Sequence, residues 1–143
     1  MPMPMELQHA SDDFERFLAE ARDHADLSTR NQTYTMVEAV LKTFRRRLPL
    51  KDAIGFAGGL PPILRAIFVA DWDIEAPPVP FADRSALATE VRAFRQNHNF
   101  APDNAIAAVA RALRAHVDAA AFERLLATLP EGAAEYWAAD SED

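Results

Sequence analysis

The chain has 143 residues with four glycines, ten prolines, no cysteine and 50% hydrophobic residues, a composition that fits one globular domain. The lack of cysteine excludes disulfides, cysteine-containing zinc sites, iron–sulfur clusters and thiol catalysis, and it fits a reducing cytoplasm. The net charge is -7, and residues 71–143 hold six basic against thirteen acidic residues, which disfavours binding to DNA or RNA.

Apolar spacing predicts helices along the first half of the chain. The first helix has the stripe Phe14, Phe17, Leu18, Ala21 and Ala25, and Asp12 with Glu15 predicts a capping box at its start. The second helix has the stripe Val37, Val40, Leu41, Phe44 and Leu48, and Pro49 ends it. A third helix is predicted over residues 50–57 and ends at Gly58, and a fourth begins at Pro61.

Three prolines within residues 77–80 forbid helix and predict an extended linker over residues 71–83. The helical pattern then returns in three stripes and a last short helix with Tyr136 and Trp137. The three stripes are Leu87, Val91 and Phe94; Ile106, Val109, Leu113 and Val117; and Phe122, Leu125, Leu126 and Leu129.

The two halves superpose in sequence, which predicts an internal duplication. A shift of 69 residues places Val37 on Ile106, Phe44 on Leu113 and the pair Leu60-Pro61 on Leu129-Pro130. We therefore predict an all-α fold in which two tandem four-helix repeats form one helical bundle domain over residues 1–143. Repeat one covers residues 12–70, repeat two covers residues 84–138, and an acidic tail covers residues 139–143.

Several short motifs recur in the order and spacing of a known family. They are Val37-Glu38-Ala39-Val40-Leu41, Arg47-Leu48-Pro49, Gly59-Leu60-Pro61-Pro62, Ala70-Asp71-Trp72-Asp73, Leu129-Pro130 and Tyr136-Trp137. With these motifs the chain resembles the bacterial domain-of-unknown-function family 2267 from about Phe14 to Trp137. The resemblance implies a duplicated, all-helical, soluble bacterial protein, and it implies no catalytic or binding residue because the family has no established activity.

Residues that could carry catalysis or bind metal do not form a recognised constellation. The histidines His9, His24, His98 and His116 are not in HExxH spacing, and Ser11 and Ser85 sit where helix caps are expected. We therefore predict no catalytic residue, no metal site and no cofactor. Gly58-Gly59 is interpreted as helix punctuation and not as a phosphate loop, because Pro61 and Pro62 remove two backbone donors.

Two clusters remain as candidates for binding. Arg45-Arg46-Arg47 either complements the negative end of a helix dipole or binds phosphate, and we favour the first interpretation. Asp71, Trp72 and Asp73 either bind a ligand together with Arg65 or leave Trp72 to anchor the linker over the junction of the halves. In the second case Trp72→Ala would cost about 3 to 5 kcal/mol, as a buried aromatic does.

Rich apolar stripes without a reactive cluster favour a non-enzymatic protein–protein interaction module. We expect a protein partner, with self-association into a homo-oligomer. We expect the linker residues Ile74, Val79 and Phe81 either to cover the contact between the two repeats or to dock on a second subunit. No uncharged run approaches the roughly twenty residues of a spanning helix, and Met1 to Met5 lack signal-peptide features, so we expect a cytoplasmic protein. The alternative is a small-molecule binder or enzyme that uses the groove between the repeats, with Arg65, Asp71, Trp72 and Asp73 at its lip.

Overall fold

The computed structural model describes residues 3–94 and 101–139, and every regular element within those ranges is an α-helix. The all-α prediction is therefore confirmed. The helices are α1 (Met5–Gln8), α2 (Ala10–Ala25), α3 (Arg30–Arg45), α4 (Leu50–Gly58), α5 (Pro62–Val69), α6 (Arg84–Ala93), α7 (Ala105–Arg114), α8 (Ala119–Ala127) and α9 (Ala133–Tyr136). The predicted positions His98 and 140–143 lie outside the described residues.

The predicted apolar stripes face the core. All five stripe residues of α2 are buried, as are Ile106, Val109 and Leu113 of α7. In α3, ten residues are buried, including the polar side chains of Thr33 and Lys42, so α3 is enclosed on most of its circumference. Leu48 is buried as predicted but lies beyond the end of α3.

The caps predicted at Ser11, Asp12 and Ser85 were wrong. Helix α2 begins at Ala10, because the turn of α1 leads into it through His9, so Ser11 and Asp12 lie inside its first turn. Ser85 lies inside α6, which Asp83 caps by accepting a hydrogen bond from the amide of Ala86 at 2.8 Å. The capping box belongs to α3, where the Thr29 hydroxyl accepts from the Gln32 amide at 3.1 Å.

The two halves of the chain pack across each other. Helix α2 packs mainly on α7, while α6 packs on α3, so the first helix of each half lies against the second helix of the other half. Helices α4 and α8 also touch. One continuous apolar core results, since the buried residues of both halves belong to a single cluster.

Aromatic rings from both halves meet in the centre of this core. The cluster comprises Phe44, Phe56, Phe68, Phe122, Tyr136 and Trp137, and the Phe44 ring lies 4.8 Å from Phe56 and 4.9 Å from Tyr136 between centroids. The hydroxyl of Tyr136 donates a hydrogen bond of 2.7 Å to the carbonyl of Val40. Burial raises the pKa of Tyr136 far above its usual value, so the hydroxyl remains a donor.

The linker is anchored to this cluster by Phe81. Its ring lies 6.0 Å from that of Phe44 and 6.3 Å from that of Tyr136, and thus contacts both halves. Gly132, with φ of 104°, lies against the same ring, and a Cβ there would approach Phe81 to 2.7 Å. The amide of Val79 donates to the carbonyl of Arg46 at 3.0 Å, which fixes the linker to the end of α3.

Some contacts recur in the two halves at the predicted spacing. Arg45 donates to the carbonyl of Phe68 at 2.8 Å, and Arg114, 69 residues later, donates to the carbonyl of Trp137 at 2.8 Å. The junction leucines are less alike, because Leu60 is buried whereas Leu129 is only partly buried against the core. The duplication therefore stays a prediction.

Candidate functional site: an exposed apolar face on helix α4

The fold places the four predicted ligand-binding residues at opposite ends of α5. The Arg65 guanidinium donates to the carbonyls of Ala57 and Leu60, at 3.1 and 2.8 Å, and so lies at the connection between α4 and α5. Asp71, Trp72 and Asp73 follow the other end of the helix, which is about 12 Å long. A role for these four residues in binding one ligand stays a prediction.

Trp72 packs on the first half of the chain. Its ring lies 6.5 Å from that of Phe68, and the Arg45 guanidinium lies 5.3 Å from the ring centre in a cation–π contact. The side chain is half-buried, with Asp71 and Asp73 exposed on either side.

Because Trp72 is half-buried, we expect Trp72→Ala to lower the free energy of unfolding by about 1 to 2 kcal/mol, less than a fully buried ring would cost. Urea denaturation followed by circular dichroism measures the change. A loss below about 0.5 kcal/mol would show that the ring contributes only what an ordinary surface residue does.

The basic triplet at the end of α3 is engaged within the fold. Arg45 donates to the carbonyls of Phe68 and Ala70, and both Arg46 and Arg47 form ion pairs with Glu90 of α6. Arg47 also donates to the Thr43 carbonyl and is buried. These contacts join α3 to the end of α5 and to α6, so the three cations hold the structure together.

Glu90 is the carboxylate on which two of these arginines converge. Its oxygens accept from Arg47 at 2.6 and 2.7 Å, a bidentate arrangement. Burial alone would raise the pKa of Glu90, but the hydrogen bonds and charges of Arg47 and Arg46 outweigh burial and lower it.

A polar groove of about 570 Å³ lies between α3 and α6. Its most unusual residue is Lys42, which is only 6% exposed and whose Nζ lies 2.8 Å from Glu38 and 3.9 Å from Asp71. Asp71 has a left-handed backbone with φ of 52°, which is uncommon for a residue other than glycine. Sequence reasoning missed Lys42; the Glu38–Lys42 spacing of four residues was the available signal.

Helix α4 presents apolar side chains to solvent. Ala53, Phe56 and Ala57 face the core, whereas Leu50 and Ile54, one turn apart, are 41% and 58% exposed. Gly58 continues this row one turn further on, and a Cβ placed there would meet no atom within 4 Å. We call Leu50, Ile54 and Gly58 the α4 face.

Two depressions adjoin the α4 face. At its Leu50 end, the linker contributes Ile74, which is 56% exposed and lines the same depression as Leu50. At its Gly58 end, a groove of about 460 Å³ runs between α4 and α8 and is lined by Gly55, Gly58 and, on the α8 side, Ala121 and Leu125. The apolar surface therefore extends beyond one helix.

The histidine, aspartate and glutamate side chains of the described residues do not form a metal-binding cluster. No group of three histidine, aspartate or glutamate side chains within residues 3–94 and 101–139 could hold a metal ion. His24 is exposed near the end of α2, while His116 Nε2 lies 3.0 Å from Glu20 and joins α7 to α2. No helix in the described part of the chain is long and apolar enough to cross a bilayer.

Comparison with family models gives a match along most of the chain. A family model described as "Uncharacterized conserved protein (DUF2267)" matches residues 14–136, from the first buried ring of α2 to the buried tyrosine of α9. The comparison with curated proteins gave no match. Since the family model covers most of the sequence, the chain belongs to the DUF2267 family.

Proposed function

We propose that this chain is a non-enzymatic protein–protein interaction module whose docking surface is the α4 face. The observation that carries the proposal is the exposure of Leu50, Ile54 and Ile74 on one side of the molecule. Single exposed apolar side chains are ordinary, but contiguous ones are typical of binding surfaces. We also propose a cytoplasmic location, which the absence of cysteine supports.

The corresponding helix of the second half supports this proposal. Under the 69-residue shift, Ile54 corresponds to Glu123 of α8, and Glu123 forms an ion pair with Arg114. Leu50 likewise corresponds to Ala119. If the halves are copies, this helix packs equally well with a charged residue at the position of Ile54, so packing alone does not explain an exposed isoleucine.

We expect Ile54→Ser to leave the free energy of unfolding within about 0.5 kcal/mol of wild type, because the side chain is mostly in water. Urea denaturation checks this, and Val69→Ser is the matched control, since Val69 is a 40% exposed apolar residue on α5. A loss above about 2 kcal/mol, the cost of a core truncation, would make the α4 face part of the core and remove the basis for docking.

Self-association, the form of interaction expected from the sequence, has its own test. If the chain self-associates through the α4 face, size-exclusion chromatography with light scattering will show a mass that rises with concentration in wild type and not in Ile54→Ser. A constant monomer mass from micromolar to millimolar protein would remove self-association and leave docking of a different protein.

A second candidate function is binding of a small molecule in the groove between α3 and α6. The buried Lys42 and the left-handed backbone at Asp71 favour it, because strained backbone and buried charge concentrate at binding sites. Arg65 lies away from this groove, so the ligand would use Asp71 without it. A metabolite that raises the melting temperature of wild type but not of Lys42→Met would support this function.

A further inference from the structure

The α4 face has an acidic rim. At the Leu50 end, Asp73 and Glu75 flank Ile74 in the linker, and both carboxylates are exposed. At the Gly58 end, Glu6 and Asp118 line the groove between α4 and α8.

Most of the cations near this rim are already engaged by other groups of the fold. Arg65 directs its guanidinium to the carbonyls of Ala57 and Leu60 and lies 3.8 Å from Glu6, so it is already engaged. Arg45 and Arg46 line the depression at the Leu50 end, but Arg45 donates to the carbonyls of Phe68 and Ala70 and Arg46 pairs with Glu90. Lys51, exposed on α4, is a further cation near the rim. Within the described residues, Asp73, Glu75 and Asp118 form no ion pair, although Asp118 caps α8 and Asp73 accepts from the Glu75 amide. The rim therefore has a negative charge that the fold does not neutralise.

The shape of the surface suits a helix. Ile54 stands beside Gly55 and Gly58, where an added Cβ would meet no atom within 4 Å, so a partner backbone can approach α4 closely. Ala121 and Leu125 of α8 form the opposite wall of the groove. An amphipathic helix docks in such a groove through apolar side chains one turn apart.

We propose that the α4 face binds a basic amphipathic helix of another protein, with apolar residues on Ile54 and Leu50 and lysine or arginine against the acidic rim. This inference rests on the proposed docking function and names the chemistry of the partner. A second copy of the chain fits less well, because each copy has a net charge of -7 and the acidic rim would face its own counterpart.

Three labelled 18-residue peptides test the inference by fluorescence anisotropy with the full-length chain at physiological salt. The first is a leucine–lysine peptide with leucines at helical spacing, the second a scrambled peptide of the same composition, and the third a leucine–glutamate peptide with the first pattern. We expect the leucine–lysine helix to bind about tenfold more tightly than the scrambled peptide, and the leucine–glutamate helix not to bind.

Variants locate the binding surface. Ile54→Ser should weaken binding of the leucine–lysine helix about fivefold, whereas the control Val69→Ser should leave it within about twofold. The double variant Asp73→Asn with Glu75→Gln alters only exposed linker residues and should weaken binding about threefold, while Glu131→Gln, exposed before α9, should not. If Ile54→Ser fails to fold, this charge comparison decides the question.

The outcomes separate the inference from the proposed function. Equal binding of the leucine–lysine and scrambled peptides, Ile54-dependent binding of the leucine–glutamate helix, or an Ile54-dependent homodimer that excludes the leucine–lysine helix would each overturn the basic partner. The last two results would leave docking on the α4 face standing. Failure of the docking function itself is recognised separately, by a large loss of stability in Ile54→Ser.

Discussion

Replacement of Phe44 by alanine is expected to lower the free energy of unfolding by about 3 to 5 kcal/mol. Phe44 is fully buried, and its ring contacts those of four other aromatic residues. These are Phe56 of α4, Phe81 of the linker, Tyr136 of α9 and Trp137 directly after α9. Truncation removes ring contacts to both halves and leaves a cavity that this dense cluster cannot easily close. Since a domain of this kind is stable by about 5 to 15 kcal/mol, the loss is a large fraction of the total.

Urea denaturation of Phe44→Ala measures this effect, and Phe81→Ala is the matched control. Phe81 belongs to the same group of rings but is only half-buried, so its truncation should cost about half as much. Equal costs for the two variants would contradict a core centred on Phe44.

The second large effect is expected at the Arg47–Glu90 pair. Glu90→Leu removes the carboxylate that accepts two hydrogen bonds from the buried Arg47 guanidinium, and we expect a loss of about 3 kcal/mol. The double variant Arg47→Met with Glu90→Leu should be less destabilised than Glu90→Leu alone, because no charge is left buried without its partner. A double variant as unstable as the single one would show that the pair contributes through packing and not through charge.

The same pair predicts how stability depends on pH. Because the folded state lowers the pKa of Glu90, the stability that this group contributes is present above its unfolded value of 4.5 and is lost as the pH falls through the folded pKa. Acid titration of unfolding below about pH 4.5 should therefore show a smaller decline in the Arg47→Met, Glu90→Leu double variant than in wild type.

Much of the fold could be predicted from the sequence because helical stripes report burial directly. In α2 the residues between the stripe positions of Phe14 to Ala25 are mostly charged, so only one side of that helix could face the core. In α7 the large apolar residues Ile106, Val109 and Leu113 also fall on one side, although alanines occupy most of the remaining positions. Helix α4 differs, since it has apolar residues on both sides, and periodicity could not show that Phe56 is buried while Ile54 is exposed.

Contacts between residues far apart in the chain could not be predicted from the sequence, for a different reason. Arg47 and Glu90 are 43 residues apart, and nothing in the local pattern of either pairs them. The separation of Arg65 from Asp71 could be expected from the length of α5, but the carbonyls that engage Arg65 follow from the path of the chain between α4 and α5. Helix caps were misplaced because tertiary context and the preceding turn, not propensity, set where α2 and α6 begin.

Amide chemical shifts of the ¹⁵N-labelled chain, recorded during titration with the leucine–lysine helix, test the central claim that the α4 face is a docking surface for a basic helix. We predict that the largest changes fall on Ile54, Gly55 and Gly58, with Ile74 and Ala121 on the borders of the surface. Changes centred on the groove of Lys42 and Glu38, or spread evenly over acidic residues of the whole chain, would contradict the account.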